Sequence, residues 1–223
     1  MILELQGIRK SFRDGDRDLR LLRGIDLALD ASDSIALTGA SGCGKSTLLQ
    51  IAAGLEQPDT GSVRLLGERL DSIPEHRLAA MRRKQIGFVF QQFNLLPGMS
   101  ALENILFQRR LNRMSERGSW PDMVIDSLEL SDFLQRPVEL LSGGEQQRVA
   151  IARAMAHKPA IVFADEPTGN LHDSLSNSVM KMFRQLIDES NSCLLLVTHS
   201  QLMAAHTNRQ LELREGLLHA DSL

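Results

Sequence analysis

One glycine-rich segment restricts the possible folds of this chain more than any other feature. It reads Gly39-Ala-Ser-Gly-Cys-Gly-Lys-Ser46, follows the apolar residues 34–38 and leads into a helical pattern over 45–54. A turn of this kind, between a strand and a helix, points backbone N–H groups and the positive end of the helix dipole at an anion. The pattern GxxxxGKS in this context predicts a phosphate-binding loop, and hence a nucleoside triphosphate as ligand.

The side chains of this loop have expected roles. Lys45 would reach the β- and γ-phosphates, and the hydroxyl of Ser46 would coordinate Mg²⁺. A glycine-rich turn that starts a helix without binding a ligand would need neither of these side chains. Nucleotide contacts are predicted for Gly39, Ala40, Ser41, Gly42, Cys43, Gly44, Lys45, Ser46 and Thr47.

Two acidic residues, Asp165 and Glu166, end a second apolar strand, predicted over 160–164. Ligands of parallel α/β sheets bind at the carboxyl ends of the strands, so both carboxylates should face the phosphate loop. Asp165 would hold Mg²⁺ through water, and Glu166 would orient and polarise the water that attacks the γ-phosphate. His199 ends the next predicted strand, 193–198, and would contact the γ-phosphate. Considered alone, it would more simply be a histidine with a structural hydrogen bond.

The composition argues against several other classes of protein. With 25 basic and 28 acidic residues the net charge is −3, which argues against a nucleic-acid partner bound through a basic surface. Cys43 and Cys193 are too few for a disulfide framework or a cysteine zinc site, and they favour a reducing, cytosolic location. No apolar run approaches the roughly 18 residues that span a bilayer, and the N-terminus lacks a signal-peptide pattern. At a membrane, another subunit would have to do the spanning.

Strand and helix patterns alternate along most of the chain, which indicates an α/β fold with a largely parallel sheet. Strands are predicted over 2–8, 21–29, 34–38, 62–66, 86–90, 160–164 and 193–198, with a turn at 13–18 and a final hairpin at 211–218. Helices are predicted at 45–54, 102–111, 123–130, 144–157 and 173–189, and Pro74 opens another. From about residue 94 the chain forms a helical subdomain, with Trp120 in a polar loop over 112–121.

The segment Leu141-Ser-Gly-Gly-Glu-Gln-Gln-Arg148, followed by Val-Ala-Ile-Ala-Arg-Ala154, resembles the signature motif of ABC-type ATPases. That family also has a glutamine at the junction with its helical subdomain, matched by Gln91. It has an aromatic residue near the N-terminus that stacks on adenine, for which Phe12 is the candidate, although a phenylalanine after a strand is often a core residue. The resemblance implies a P-loop NTPase fold of the ATP-binding cassette type.

In that fold a RecA-like core carries an antiparallel β subdomain and an inserted α-helical subdomain. The resemblance therefore implies a single cassette over residues 1–223, with the helical subdomain at about 94–157. It also adds Gln91 to the site. The predicted catalytic residues are Lys45, Gln91, Glu166 and His199, and the predicted metal contacts are Ser46, Gln91 and Asp165.

Ser142, Gly143 and Gly144 open the predicted helix 144–157 and so offer a second helix N-terminus with free N–H groups. One chain needs only one phosphate cradle, which the loop at residues 39–46 already supplies. In the family that this chain resembles, the signature binds the γ-phosphate held by a partner cassette. Two ATP molecules are thereby sandwiched in a head-to-tail homodimer. A glycine-capped helix start that binds nothing is the simpler alternative.

Three further segments resemble the lipoprotein-releasing and macrolide-export branch of the family, to which the cell-division ABC ATPase is related. They are Phe90-Gln-Gln-Phe-Asn-Leu-Leu-Pro97, Ala101-Leu-Glu-Asn104 and Ala164-Asp-Glu-Pro-Thr-Gly-Asn-Leu171. The resemblance implies an ATP-hydrolysing subunit, peripheral on the cytoplasmic face of the inner membrane, that powers a separate permease through dimer closure. The alternative is a slow-turnover mechanical or regulatory module. Residues 91–103 would receive the permease's coupling helix, unless Phe93, Leu95, Leu96 and Leu102 form a seam between subdomains.

Three positions depart from the family's usual pattern. His172 stands where an aspartate is expected, with Asp173 one place later; Ser200 follows His199 where an acid is common; and Leu140 adds an apolar residue before the signature. Either Asp173 substitutes for the expected aspartate or communication between the two nucleotide sites is altered. None of these positions belongs to the phosphate-binding or water-activating groups, so we expect hydrolysis to be retained.

Overall fold

A computed structural model describes residues 1–14, 17–169 and 171–220 of the chain. Its strands are β1 (Leu3–Asp14), β2 (Arg17–Leu29), β3 (Ser34–Thr38), β4 (Thr60–Leu65), β5 (Glu68–Arg69), β6 (Ile86–Val89), β7 (Ile161–Asp165), β8 (Cys193–Val197), β9 (Arg209–Arg214) and β10 (Leu217–Ala220). Its α-helices are α1 (Lys45–Ala52), α2 (Glu75–Gln85), α3 (Ala101–Leu111), α4 (Ser119–Ser127), α5 (Gly143–Met155), α6 (Asp173–Ser190) and α7 (Gln201–Ala204).

The larger sheet has the strand order β10-β9-β3-β8-β7-β6 and is parallel from β9 to β6, with β10 antiparallel at its edge. A smaller antiparallel sheet has the order β2-β1-β4-β5. Because β3, β8 and β7 are neighbours and parallel, the segments that follow them emerge at one edge. The strand order therefore brings the glycine-rich loop, His199 and the Asp165–Glu166 pair together.

The central strands are buried on both faces, as parallel sheets require. Successive side chains of a strand point to opposite faces. In β3, Ile35 and Leu37 pack in the hydrophobic cluster shared with α1 and the smaller sheet, whereas Ala36 packs in the cluster shared with α5 and α6. Two hydrophobic clusters thus hold the larger sheet between one layer made of α1 and the smaller sheet and another layer made of helices.

The helical region lies between β6 and β7 and contains α3, α4 and α5. Both α3 and α5 begin with a capping box, in which a serine caps the helix and a glutamate three residues later returns the hydrogen bond. These reciprocal bonds satisfy helix N–H groups that would otherwise lack partners.

The prediction of a polar loop over 112–121 is wrong at its C-terminal end, because α4 already begins at Ser119 and contains Trp120. The indole Nε1 donates a hydrogen bond to the carbonyl oxygen of Met155 at 2.9 Å, which ties α4 to the end of α5. Pro121 lies in the first turn of α4, where proline is tolerated because the N–H that it lacks would have no partner there.

The N-terminal strands are longer than predicted, and their irregularity explains why. The pairing of β1 with β2 shifts register between Leu5 and Ile8, at Arg9, and after Lys10. Each irregularity changes which side chains face the core and so breaks the period-two alternation on which the prediction depends. Of the turn predicted at 13–18, residues 15 and 16 lie outside the described part of the chain.

The structure adds two short elements, β5 and α7, that the sequence patterns did not predict, since two and four residues are too few to show a period. Within the ranges given above, no helix combines the length and apolar character needed to cross a membrane.

Candidate functional site

The loop between β3 and α1 has backbone conformations that only glycine adopts readily. Gly39 has φ of 137°, and a Cβ there would lie 2.4 Å from the carbonyl oxygen of Leu213. Gly44 precedes α1 with φ of 109°, and a Cβ there would lie 2.8 Å from the side chain of Leu21. Both positions therefore exclude larger residues. Since the first turn of a helix leaves its N–H groups without intrahelical partners, the loop and α1 together form an anion-binding concavity.

Lys45, the first residue of α1, is buried within this loop. Its Nζ donates hydrogen bonds to the carbonyl oxygens of Gly39 at 2.9 Å and Ala40 at 2.8 Å, and it lies 3.9 Å from Cys43 Sγ. A phosphate oxygen is a stronger acceptor for an ammonium than a neutral carbonyl or a thiol, because the hydrogen bond is charge-assisted on both sides. The ammonium can thus exchange these contacts for phosphate.

The loop and the end of β7 meet through a hydrogen bond from Ser46 Oγ to Asp165 Oδ1, 3.0 Å long. Burial is the main factor that raises the pKa of Asp165, and the charge of Glu166 acts in the same direction. The Ser46 hydroxyl and the Lys45 ammonium oppose that shift. A hydroxyl, a carboxylate and the nearby Gln91 carboxamide are the oxygen ligands that Mg²⁺ prefers, so this donor set fits the predicted ion.

Glu166 and His199 form a pair at the ends of β7 and β8. The carboxylate oxygen Oε1 lies 2.8 Å from the imidazole Nδ1; the glutamate side chain is 14% exposed and the histidine 71% exposed. Glu166 has a left-handed backbone with φ of 46°, and its amide donates to the carbonyl oxygen of Val197. A non-glycine residue in this region is conformationally strained, and such residues concentrate at functional sites.

These groups line one open cleft of about 640 Å³. It brings together the predicted residues Ser41, Gly42, Gly44, Lys45, Ser46, Thr47, Gln91, Asp165, Glu166 and His199. Leu21 and Val197 also line the cleft, although the sequence patterns predicted neither of them. Leu21 lies in β2, and the pairing of β1 with β2 brings it to the cleft. The irregular alternation of polar and apolar residues along this strand does not predict that position.

Seven predicted nucleotide contacts do not line this cleft: Gly39, Ala40 and Cys43 of the glycine-rich loop, and Phe12, Ser142, Gly143 and Gly144. The ring of Phe12 is 44% exposed and belongs to neither hydrophobic cluster, so the alternative of a core residue is wrong. The ammonium of Lys10 lies 5.4 Å from the centroid of that ring. Stacking of Phe12 on adenine stays a prediction.

Ser142 and Gly143 form an exposed corner at the start of α5, which begins at Gly143, one residue earlier than predicted, and Gly144 beside them is half-buried next to the side chain of Leu175. Both the amide and the hydroxyl of Ser142 donate to Glu145 Oε2, at 2.7 and 2.8 Å. These hydrogen bonds lower the pKa of Glu145. Because the corner is exposed and does not line the 640 Å³ cleft, it is available to a ligand bound elsewhere, including one held by a second copy of the chain.

The positions that depart from the family pattern are also placed. His172 is exposed and immediately precedes α6, while the side chain of Asp173, the predicted substitute, lies outside the described part of the structure. Leu140 is 74% exposed and Leu141 is buried, so the core takes only one leucine of the pair. The amide of Ser200 donates to Thr198 Oγ1 at 3.1 Å.

Two apolar grooves flank the segment that follows Gln91. One, of about 430 Å³, is lined by residues that include Leu55, Phe88, Phe90, Leu96, Phe107 and Leu111. The other, of about 410 Å³, is lined by Phe93 and Leu95 among others. Leu95 and Leu102 both pack against the hydrophobic cluster that α5 and α6 share. Leu102 lines neither groove and belongs to the seam. Phe93, Leu95 and Leu96 line the two grooves.

The sequences of several known proteins align with this chain over almost its whole length. The ABC transporter family model matches residues 22–169. The lipoprotein-releasing system ATP-binding protein LolD of Legionella pneumophila (strain Lens) is 41% identical over 223 residues, which cover 99% of this chain and 98% of that protein. The macrolide export ATP-binding/permease protein MacB of Azoarcus sp. (strain BH72) is 41% identical over 222 residues, 99% of this chain but 34% of that protein. The chain thus spans about a third of the MacB relatives it matches.

Solved structures of the ATP-binding cassette MJ0796 are also similar. A dimeric post-hydrolysis state bound to ADP and Pi has a TM-score of 0.87, and a dimeric structure described as a bacterial ABC transporter cassette has a TM-score of 0.88. Each is 32% identical and covers 98% of this chain and 97% of the other.

Proposed function

The chain belongs to the ABC transporter family, and from that premise we propose that its 640 Å³ cleft is where it hydrolyses ATP for a separate membrane permease. As a cassette of this family it binds and hydrolyses ATP, and its structural neighbour MJ0796 holds ADP and phosphate as a dimer. We treat residues 1–223 as one cassette, with a helical subdomain at about 94–157.

The observation that carries this proposal is the contact between Glu166 Oε1 and His199 Nδ1, 2.8 Å long, at the edge of the cleft that also contains Lys45. The carboxylate would orient the attacking water and accept its proton. The imidazole would hold that carboxylate in place while its exposed edge meets the γ-phosphate. In-line attack on a phosphoryl group needs mainly positioning and charge stabilisation, which these groups supply.

On the phosphate side, the residue 39–46 loop would bind with its N–H groups, and Lys45 would leave the carbonyls of Gly39 and Ala40 for the β- and γ-phosphates. Ser46, Gln91 and Asp165 would hold Mg²⁺, with Asp165 acting through water. When bound, Mg²⁺ neutralises charge on the β- and γ-phosphates. The 3.0 Å hydrogen bond between Ser46 and Asp165 already holds two of these side chains at one point.

The second half of each nucleotide site would come from a second copy of the chain. The corner at Ser142, Gly143 and Gly144 offers the N–H groups of Gly143 and Gly144 and the positive dipole end of α5, a helix of 13 residues. It does not line the cleft of its own chain, so it can serve the γ-phosphate of another. A closed C₂ dimer then contains two equivalent sites, each built from both protomers.

The groove of about 430 Å³ would receive the permease. Its rim carries Leu55 and Leu111, which are 51% and 49% exposed, and its wall carries Phe90 just before Gln91. Exposed apolar side chains grouped around a groove are typical of a docking surface. Docking there would place the chain peripherally on the cytoplasmic face of the inner membrane and would connect the permease to the catalytic cleft through the Gln91 segment.

The proposed catalytic role is tested by Glu166→Gln. A carboxamide cannot accept the proton of the attacking water, so turnover should stop while ATP binding persists, and the variant should collect as an ATP-bound dimer in size-exclusion chromatography with light scattering. Glu189→Gln is a matched control, because Glu189 is an exposed glutamate on α6 whose carboxylate accepts a hydrogen bond from Gln185. Turnover by Glu166→Gln at the wild-type rate would remove Glu166 from its role.

A further inference from the structure

Arg153, in the last turn of α5, holds the segment that follows Gln91. Its Nη1 donates to the carbonyl oxygen of Asn94 at 2.6 Å, and its Nη2 donates to the carbonyl oxygen of Phe93 at 2.8 Å. The planar guanidinium thus contacts two successive carbonyls from two different nitrogens, and its fixed fork holds both at once with less freedom than a single ammonium has.

The charge of Arg153 has no acidic partner in the ion pairs found among the described residues. The side chain lines the 430 Å³ groove and is half-buried, and burial lowers its pKa from the ordinary arginine value. A buried cation without a carboxylate depends on the hydrogen bonds that it makes. The two carbonyls therefore fix the guanidinium, and the guanidinium fixes the segment.

The same segment has a second attachment, to α3. Asn104, which is fully buried, accepts a hydrogen bond from the amide of Leu96 at 2.8 Å and donates to its carbonyl oxygen at 3.2 Å. Between the two attachments the chain turns sharply: Asn94 has φ of 48° and its amide donates to the carbonyl oxygen of Gln92. Both attachments belong to the helical region, whereas Gln91 itself lies in the nucleotide cleft, beyond the end of β6.

The helix that carries Arg153 begins at the signature corner. Arg153 lies ten residues after Gly143 in the uninterrupted helix α5, which at 1.5 Å per residue places it about 15 Å from that corner. The intervening side chains Val149, Ala150, Ile151 and Ala152 are buried, so α5 is held firmly along its length. A displacement of one end of such a helix is carried to the other.

We infer that Arg153 is a positioning residue, through which the placement of Gln91 in one nucleotide cleft depends on the position of α5. The other end of α5 contacts the nucleotide bound by a second copy of the chain. This inference rests on the proposed function. When the Ser142–Gly144 corner binds the nucleotide of the second copy, α5 moves. Residues 93–94 move with α5, because Arg153 is hydrogen-bonded to their carbonyl oxygens, and this movement places Gln91 in the cleft of its own chain. The two nucleotide sites are thereby coupled through one side chain.

The test compares Arg153→Met and Arg153→Lys with Arg109→Met in the full chain. Arg109 is a matched control, because it too is an arginine that donates to two backbone carbonyls, those of Ser115 and Ala156, outside the Gln91 segment. We expect Arg153→Met to lower kcat at least about tenfold, since misplacing a catalytic group by about 1 Å can cost about a hundredfold. Arg153→Lys should lie between wild type and Arg153→Met.

A second readout does not depend on turnover. The Kd for a fluorescent ATP analogue should stay within about twofold of wild type in Arg153→Met, because the residue 39–46 loop is not attached to Arg153 and a twofold change is only about 0.4 kcal/mol. In the Glu166→Gln background, Arg153→Met should raise the ATP concentration needed for half-maximal dimer formation. Arg109→Met should lower Tm and leave the kcat of the folded protein unchanged.

A wild-type kcat in Arg153→Met, or a fall in Tm alone as in the control, would overturn the inference while leaving the proposed function intact. Absence of ATP turnover by the wild-type chain in its dimer would instead contradict the proposed function, and this inference with it.

Discussion

Acidification should destabilise the fold through one buried histidine. His157 follows the end of α5 and is only 3% exposed. Its Nε2 lies 3.1 Å from the carbonyl oxygen of Ile86, so this nitrogen carries the proton, and Nδ1 is buried without a partner among the described residues. Burial lowers the pKa of His157 to about 4, opposed by the hydrogen bond to Ile86 and assisted by the charge of Arg109.

The size of the effect follows from that pKa. An unfolded histidine has a pKa near 6.5, and the drop to about 4 in the folded chain corresponds to about 3 kcal/mol. Below pH 6.5 the unfolded chain binds a proton that the folded chain does not, so the free energy of unfolding falls as pH decreases. The contribution of His157 should fall by about 1.4 kcal/mol for each pH unit between about pH 6 and pH 4.5.

The assay is urea unfolding of wild type and His157→Gln from pH 7.5 to 4.5, followed by the fluorescence of Trp120. The indole of Trp120 contacts Met155, two residues from His157, and Trp120 is the single tryptophan of the chain. Glutamine keeps an N–H donor for Ile86 but does not titrate. The wild type should lose about 2 kcal/mol more than the variant between pH 6 and pH 4.5. Parallel loss of stability in both proteins would refute the reasoning.

Two further predictions concern the loop and the docking groove. Gly39→Ala should lower the free energy of unfolding by about 3 kcal/mol in urea titrations, because the added Cβ would clash with the Leu213 carbonyl oxygen and φ is positive there. Gly143→Ala has open space around the added carbon, so it should change the free energy of unfolding by less than about 1 kcal/mol. Equal stability of the two alanine variants would contradict this. Replacing Leu55 and Leu111 with glutamate should abolish co-purification with the permease and leave ATP affinity unchanged, because both lie on the rim of the 430 Å³ groove and outside the cleft. Retained co-purification would remove that groove from the docking surface.

The sequence was sufficient to predict much of the cleft, and the reason is topological. Motifs that follow buried parallel strands must meet at one sheet edge, so the loop after β3, the acids after β7 and His199 after β8 are brought together by the strand order alone. The family resemblance added Gln91, which lies in the same cleft.

Other features depend on contacts that no local pattern encodes. Leu21 reaches the cleft through the register of β1 and β2, whose irregularities break the alternation from which strands are predicted. Arg153 reads as an ordinary arginine in a helical pattern, and its two carbonyl partners, about 60 residues earlier in the chain, become visible only in three dimensions. Trp120 lies in α4 and not in the predicted loop, and its indole reaches the carbonyl oxygen of Met155, 35 residues later in the chain, a contact that no local pattern predicts.

The claim on which this account depends is that each nucleotide site is shared between two copies of the chain, and ATP turnover by Gly143→Asp tests it most directly. The substitution has open space around it, and it places a negative charge where the signature corner would meet a γ-phosphate. This variant should bind ATP in its own cleft as tightly as wild type but should not hydrolyse it. Hydrolysis by Gly143→Asp at the wild-type rate would contradict the account.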